Sequence, residues 1–225
     1  MIRIIYSYYR DANQRRAAEI NACFGQIALC PGAGEMHILC EHEPPFVTPR
    51  TIIHPCEGRP KCRDLFNLIA TASDQRDINI VLNSDCFPEP ADLPMLEFLA
   101  ADEAWCVSRV EISSAVPLKI DTRKNKRRAR KHPFDMQDAW IIRGTPKEGM
   151  TLDFFMGMPG CDNRLAYELQ QAGYRISNPA SFFRLYHFHT SAERNYDESQ
   201  RVAPPYAFPE TREVPRETLR QVVPL

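Results

Sequence analysis

The sequence predicts a three-layer α/β domain, with helices on both faces of a mixed, mainly parallel sheet. Short β-branched apolar runs alternate with stretches whose apolar residues fall at helical spacing, the strand-then-helix order that builds such layers. The run Ile78-Asn79-Ile80-Val81-Leu82 is nearly unbroken and stops at Asn83-Ser84-Asp85, as a strand covered on both faces reads. With 225 residues, the chain can bury a substantial core without a disulfide or a metal.

Residues Ile2 to Tyr9 read as the first strand, and Ala17, Ile20 and Phe24 follow at helical spacing. Met36 to Cys40 and Thr51 to His54 are short strands among Pro44, Pro45, Pro49 and Pro55, which lack a backbone donor and belong in loops or at edges. Leu65, Ile69 and Ala72 mark a second helix, which feeds the strand Ile78 to Asn83, and Met95, Leu96 and Leu99 mark a third. Ala104 to Val110 and Ala139 to Arg143 read as strands on either side of a basic loop, Arg123 to His132. Asp162 stands at a helix start, Leu165, Leu169 and Ala172 share its apolar face, and Gly173 stops it. Tyr174 to Ile176 then form a short strand that leads toward His187 and His189. Residues 1–196 are expected to form the domain, and residues 197–225, rich in proline, an extended tail that packs on it or frays.

Composition excludes more than it names. Lys and Arg total 28 against 29 Asp and Glu, so bulk charge selects no partner. No apolar stretch is long enough to cross a bilayer and no signal peptide is visible, which leads to the expectation of a cytoplasmic protein. The eight cysteines contain no C-x-x-C pair and are expected to be reduced and mostly structural. No G-x-G-x-x-G, Walker A or G-x-S-x-G motif occurs, which argues against dinucleotide, P-loop and serine-hydrolase chemistry. The basic run has no interleaved aromatic, which makes it a poor single-strand nucleic-acid site. It reads either as a solvated, mobile loop or as a cationic lid over a diphosphate or an anionic acceptor.

The carboxyl end of a strand in an open α/β sheet is where ligands bind. Asn83 and Asp85, two apart, can address one ligand while Ser84 points away. Asp162 is either an N-cap or a reacting acid. Asp138 either ends a turn or lines a donor or acceptor pocket, with Asp135 as its substitute; Trp140 either fills core or packs on a sugar face. Arg109, near a strand end, suits a phosphate or an acid partner. His187 and His189 put two imidazoles on one face, which points to a metal site or a pH-sensitive surface.

Taken together these residues resemble a GT-A-fold glycosyltransferase, of a little-characterised bacterial group. The resemblance is carried by Asn83-Ser84-Asp85, Asp138-Ala139-Trp140-Ile141, the stretch from Gly157 to Arg164, Asn178-Pro179, His187-Phe188-His189-Thr190-Ser191 and Arg194-Asn195-Tyr196. It implies that Asp85 is the metal-binding carboxylate of a D-x-D motif, with Asn83 at the position of the first acid. An amide there hydrogen-bonds a hydroxyl but binds a cation more weakly than a carboxylate. It further implies that Asp162 opens a helix beside the acceptor, with Asp138 a second candidate catalytic acid, and that His187 or His189 completes the shell of Mn²⁺ or Mg²⁺.

The expected function is therefore metal-dependent transfer of a sugar from a nucleotide-diphosphate sugar to a glycan, lipid or protein acceptor. Asn83, Ser84, Asp85, Arg109, Trp140 and Asn163 are expected at the nucleotide sugar. Two alternatives stay open. One is a hydrolase or oxygenase holding iron or zinc on two histidines and a carboxylate; the other is a catalytically silent sugar-binding domain.

Overall fold

The structure, a computed structural model, describes residues 1–131, 136–191 and 196–213, with the side chains of residues 128–131 excepted. Asp135, His132, Arg194, Asn195, Pro215 and Pro224 of the sequence reading lie outside the described residues or their side chains.

Four parallel strands form one side of the sheet in the order β3 (Thr51–Pro55), β2 (Glu35–Cys40), β1 (Ile2–Tyr8) and β4 (Ile78–Leu82). Strand β8 (Gln137–Arg143) lies antiparallel between β4 and the long β6 (Glu103–Ala115). Beyond β6 come β9 (Arg175–Asn178) and β11 (Glu210–Thr211), both parallel again. Three short strands complete the network: β5 (Cys86–Pro88), β7 (Leu118–Ile120) and β10 (Leu185–Phe188).

Side chains of the central strands alternate between two apolar cores, which is why these strands read as continuous apolar runs. Ile4, Tyr6, Ile80 and Leu82 face helix α1 (Gln14–Ala28) through Ile20, Phe24 and Ile27. Ile5, Val81, Trp140 and Ile142 share the other core with Leu65 and Ile69 of α2 (Cys62–Ala72) and Leu165 and Leu169 of a helix that spans Cys161–Gln171. This is the three-layer, mixed and mainly parallel arrangement.

Several elements differ from the sequence reading, each for a local reason. The basic run is not a loop. It forms helix α3 (Thr122–Lys131), because Lys and Arg are good helix formers and Asp121 caps the start by accepting from the Lys124 N–H at 2.9 Å. The helix Cys161–Gln171 is thus α4. The apolar segment around Met95 is a 3₁₀ run, Pro90–Phe98, with Pro94 inside, whose missing N–H removes an α-helical bond. Asn83 and Asp85 do not share a strand face, since β4 stops at Leu82 and the chain turns, the Cys86 N–H bonding to the Asn83 carbonyl at 3.1 Å. Residues 196–213 pack on the domain: Val202 N–H donates to the Pro159 carbonyl, Ala207 N–H to that of Asn163 and Arg212 N–H to that of Asn178.

Candidate active site

A cavity of about 610 Å³ opens at the carboxyl ends of β1 and β4. Two bends in the chain build its floor. The first is the Asn83-Ser84-Asp85 turn; the second is in β6, whose register shifts between Val107 and Ser108 as it passes from β8 to β10. That handover sets Arg109 in the middle of a long strand rather than near its end, and pairs it with Leu185 while Glu111 pairs with His187.

Around these bends runs a line of alternating charge. Glu19 accepts from Arg16 Nη1 at 3.2 Å, and Arg16 Nη2 donates to Asp85 Oδ2 at 2.6 Å. The same Asp85 oxygen lies 3.1 Å from His187 Nε2 and 3.7 Å from His189 Nδ1. His187 Nδ1 meets Glu111 Oε2 at 2.8 Å, and Arg109 joins Glu111 at 2.9 Å to Asp138 at 2.7 Å. Asn83 Nδ2 closes the line by donating to the other oxygen of Asp138. Glu19 also fastens the segment after β10, accepting from the backbone and hydroxyl groups of Thr190 and Ser191 at 2.6–2.8 Å.

Buried charges survive only when partnered, and the line supplies the partners. Burial works to raise the Asp85 pKa, yet His187 and Arg16 hold it well below the carboxylate range. Burial also opposes ionisation of Glu111, but His187 and Arg109 bring it down to about 2. For His187, burial and the Arg109 cation favour the neutral ring, while Asp85 and Glu111 on either side outweigh them and raise its pKa. Burial, then Arg16, keep His189 below the usual histidine value.

Asp85, His187 and His189 bring one ligand atom each within 4.8 Å of one another. The donor chemistry fits a divalent ion: one carboxylate oxygen and two imidazole nitrogens. Glu111 on His187 Nδ1 stands where an outer-shell carboxylate would orient that ring toward an ion. Asn83 Oδ1, buried at the cavity wall, has no hydrogen-bond partner among the described residues, so its lone pairs suit a ligand hydroxyl or cation.

The remaining expected residues divide clearly. Asn163 and Asp162 line the cavity. Asp162 is not the N-cap of α4. Gly160 holds that position at φ +77°, where a Cβ would meet Tyr206 Oη at 2.7 Å, and Asp162 sits in the first turn, its carboxylate accepting from the Met136 N–H at 3.2 Å. Asp138 lines the cavity with both oxygens engaged, by Arg109 and Asn83, so it serves to hold those two side chains. Ser84 lines it too, its hydroxyl bonded to the Ser7 carbonyl at 2.8 Å.

Trp140 corrects the sequence reading. It is fully buried in the core beneath α2 and α4 and does not reach the cavity, because β8 is a central strand and only its first residues emerge at the sheet's end. The thiols of Cys86 and Cys161 are buried and pushed up by that burial, which disfavours the reactive thiolate.

Arg16, Glu111 and Glu19 were not expected at the site. Arg16 had one signal, its position four before Ile20 on the apolar stripe of α1, where a cation must find a buried acid.

No protein-family model matches the sequence, and no curated protein matches it. Among solved structures the chain is similar to a mannosyltransferase from Pyrobaculum calidifontis in complex with GDP-Man and Mn²⁺, at 16% identity and a TM-score of 0.50 over 87% of this chain. It is also similar to GalNAc-T7 with UDP, GalNAc and Mn²⁺, at 9% identity and a TM-score of 0.47 over 85% of this chain. The chain spans 58% and 43% of the lengths of these two proteins. The fold is accordingly that of the GT-A glycosyltransferases.

Proposed function

We propose that this protein is a metal-dependent glycosyltransferase that uses a nucleotide-diphosphate sugar. The observation that carries the reading is the convergence of Asp85, His187 and His189 at the end of β4, in a cavity of a GT-A-type fold. Asp85 and one or both histidines would hold Mn²⁺ or Mg²⁺. The ion, when bound, supplies positive charge against the diphosphate leaving group. Mn²⁺ accompanies GDP-Man in the mannosyltransferase of similar fold, which supports this choice of ion.

The chain's own residues do the rest. Arg16 keeps Asp85 ionised, and Glu111 keeps the His187 ring aimed at it. Asn83 offers its orphan oxygen to a sugar or ribose hydroxyl, held in place by Asp138 and Arg109. Asp162 is the candidate base: with inversion its carboxylate takes the proton of the acceptor hydroxyl as that oxygen attacks the anomeric carbon, and with retention it positions the acceptor. The hydrolase or oxygenase alternative draws on the same three donors but gains nothing from the fold.

The test is a thermal-shift panel of GDP and UDP, each with and without Mn²⁺. A stabilisation that requires both nucleotide and ion is expected. Iron or zinc held stoichiometrically through purification, with no nucleotide effect, would instead favour the hydrolase or oxygenase.

Glu111 gives a second expected outcome. In Glu111→Gln the His187 ring keeps a hydrogen-bond acceptor but loses the charge that makes it a stronger ligand. Mn²⁺ affinity should then fall about 10–100-fold, read by titrating the ion at fixed GDP or UDP. Unchanged affinity would show that the Glu111 charge does not tune the ion's site.

A further inference from the structure

The β6–β7 hairpin and α3 form a surface that the transfer chemistry does not use. Val116, Leu118 and Ile120 are 75%, 42% and 46% exposed. Leu118 and Ile120, two apart on β7, share a face of the ribbon, and Val116 stands at its turn. Isolated exposed apolar residues mean little, but three on one hairpin ask for a partner.

Helix α3 follows β7 after one residue and is fastened to the body by its inner side. Asn125 bonds both the N–H and the carbonyl of Glu111, at 2.9 and 3.0 Å, and Lys124 Nζ donates to the His189 carbonyl at 2.8 Å. Arg123, Lys126 and Arg127, three and four positions apart, are all exposed. Seven of the ten residues of α3 are Lys or Arg and none is acidic. An apolar hairpin is thus followed, one residue on, by a cationic helix bonded to the body through Asn125 and Lys124.

We infer that this surface docks the protein on an anionic lipid bilayer. Stable peripheral binding takes two signals, an apolar group that enters the acyl boundary and cations that meet acidic headgroups, and here the two follow one another in the chain. A nucleic acid would leave the apolar hairpin without a use, and residues 113–131 offer no aromatic for base stacking. A second copy of the chain, meeting across a two-fold axis, would bring the cationic helix against itself. The docking does not depend on the transferase reading. Where both hold, the Lys124 contact with His189 sets the bilayer beside the metal-ligand segment, and the acceptor would be one carried on a lipid.

Sedimentation with vesicles of phosphatidylcholine, with and without phosphatidylglycerol, tests this. The protein should bind the phosphatidylglycerol vesicles, weaken on added salt, and bind phosphatidylcholine alone at least about tenfold less tightly. Arg123→Ser, Lys126→Ser and Arg127→Ser together should weaken binding by on the order of a hundredfold, and Leu118→Ser with Ile120→Ser by about tenfold or more. All five side chains are exposed, so the thermal midpoint should hold and any nucleotide-dependent shift should persist, which separates failure of docking from failure of the transferase reading. Binding to neither vesicle would overturn the inference. So would vesicle binding indifferent to the Leu118 and Ile120 changes and displaced by an oligonucleotide, or a dimer that those changes dissolve.

Discussion

Asp85→Asn is expected to abolish the Mn²⁺-dependent stabilisation by nucleoside diphosphate. At a hundredfold excess over its dissociation constant a ligand adds about 2.7 kcal/mol, or about 5 to 10 °C in the midpoint of a domain this size, and in the variant that shift should vanish. The amide keeps the shape of the side chain and an oxygen that accepts from Arg16, but loses the charge that makes a carboxylate the stronger ligand of a hard cation. Arg16 retains Glu19 at 3.2 Å and the His187 ring retains Glu111 at 2.8 Å, so neither buried group is left without a partner, and the variant should fold. Alanine is the poorer choice, because removing one partner of a buried charge pair outright costs about 3–5 kcal/mol. An undiminished Mn²⁺-dependent shift in a folded Asp85→Asn protein would sink the metal assignment.

Much of this site was legible because its signals are local. A short apolar run that ends in Asn83-Ser84-Asp85 is a buried strand meeting a turn, and two histidines two apart near the end of a later strand are visible as such. Asp162 was found through the helix it opens, although Gly160, with its positive φ, takes the capping position. What escaped was non-local. Arg16 looks like one half of an exposed Arg15-Arg16 pair until Asp85, 69 residues away, supplies the counter-charge that lets it be buried. Glu111 and His187, 76 residues apart, meet only because β10 runs parallel to β6. Trp140 and α3 failed for opposite reasons. Trp140 was credited with exposure that a strand between β4 and β6 cannot give, and the basic run was denied order because its charge was weighed before its helix propensity and its anchors, Asp121 and Asn125.

The same logic makes Asp162 the sharper test of mechanism, since its two possible uses require different properties of one side chain. In the first turn of α4 its charge favours the helix by about 0.3–1 kcal/mol, and its oxygen accepts from the Met136 N–H at 3.2 Å. Asp162→Asn keeps an acceptor for that bond and forfeits the charge, so the helix should lose on the order of that amount. A general base must take a proton, which an amide cannot do at neutral pH, and the loss of turnover should then be about 10²–10⁴-fold. Asp162→Asn is therefore expected to stay folded, to retain the Mn²⁺-dependent shift with nucleoside diphosphate, and to transfer sugar at that reduced rate once a donor and acceptor pair is in hand. A variant that binds nucleotide and turns over at the parent rate would rule out Asp162 as the base, which would have to be sought elsewhere on the cavity wall.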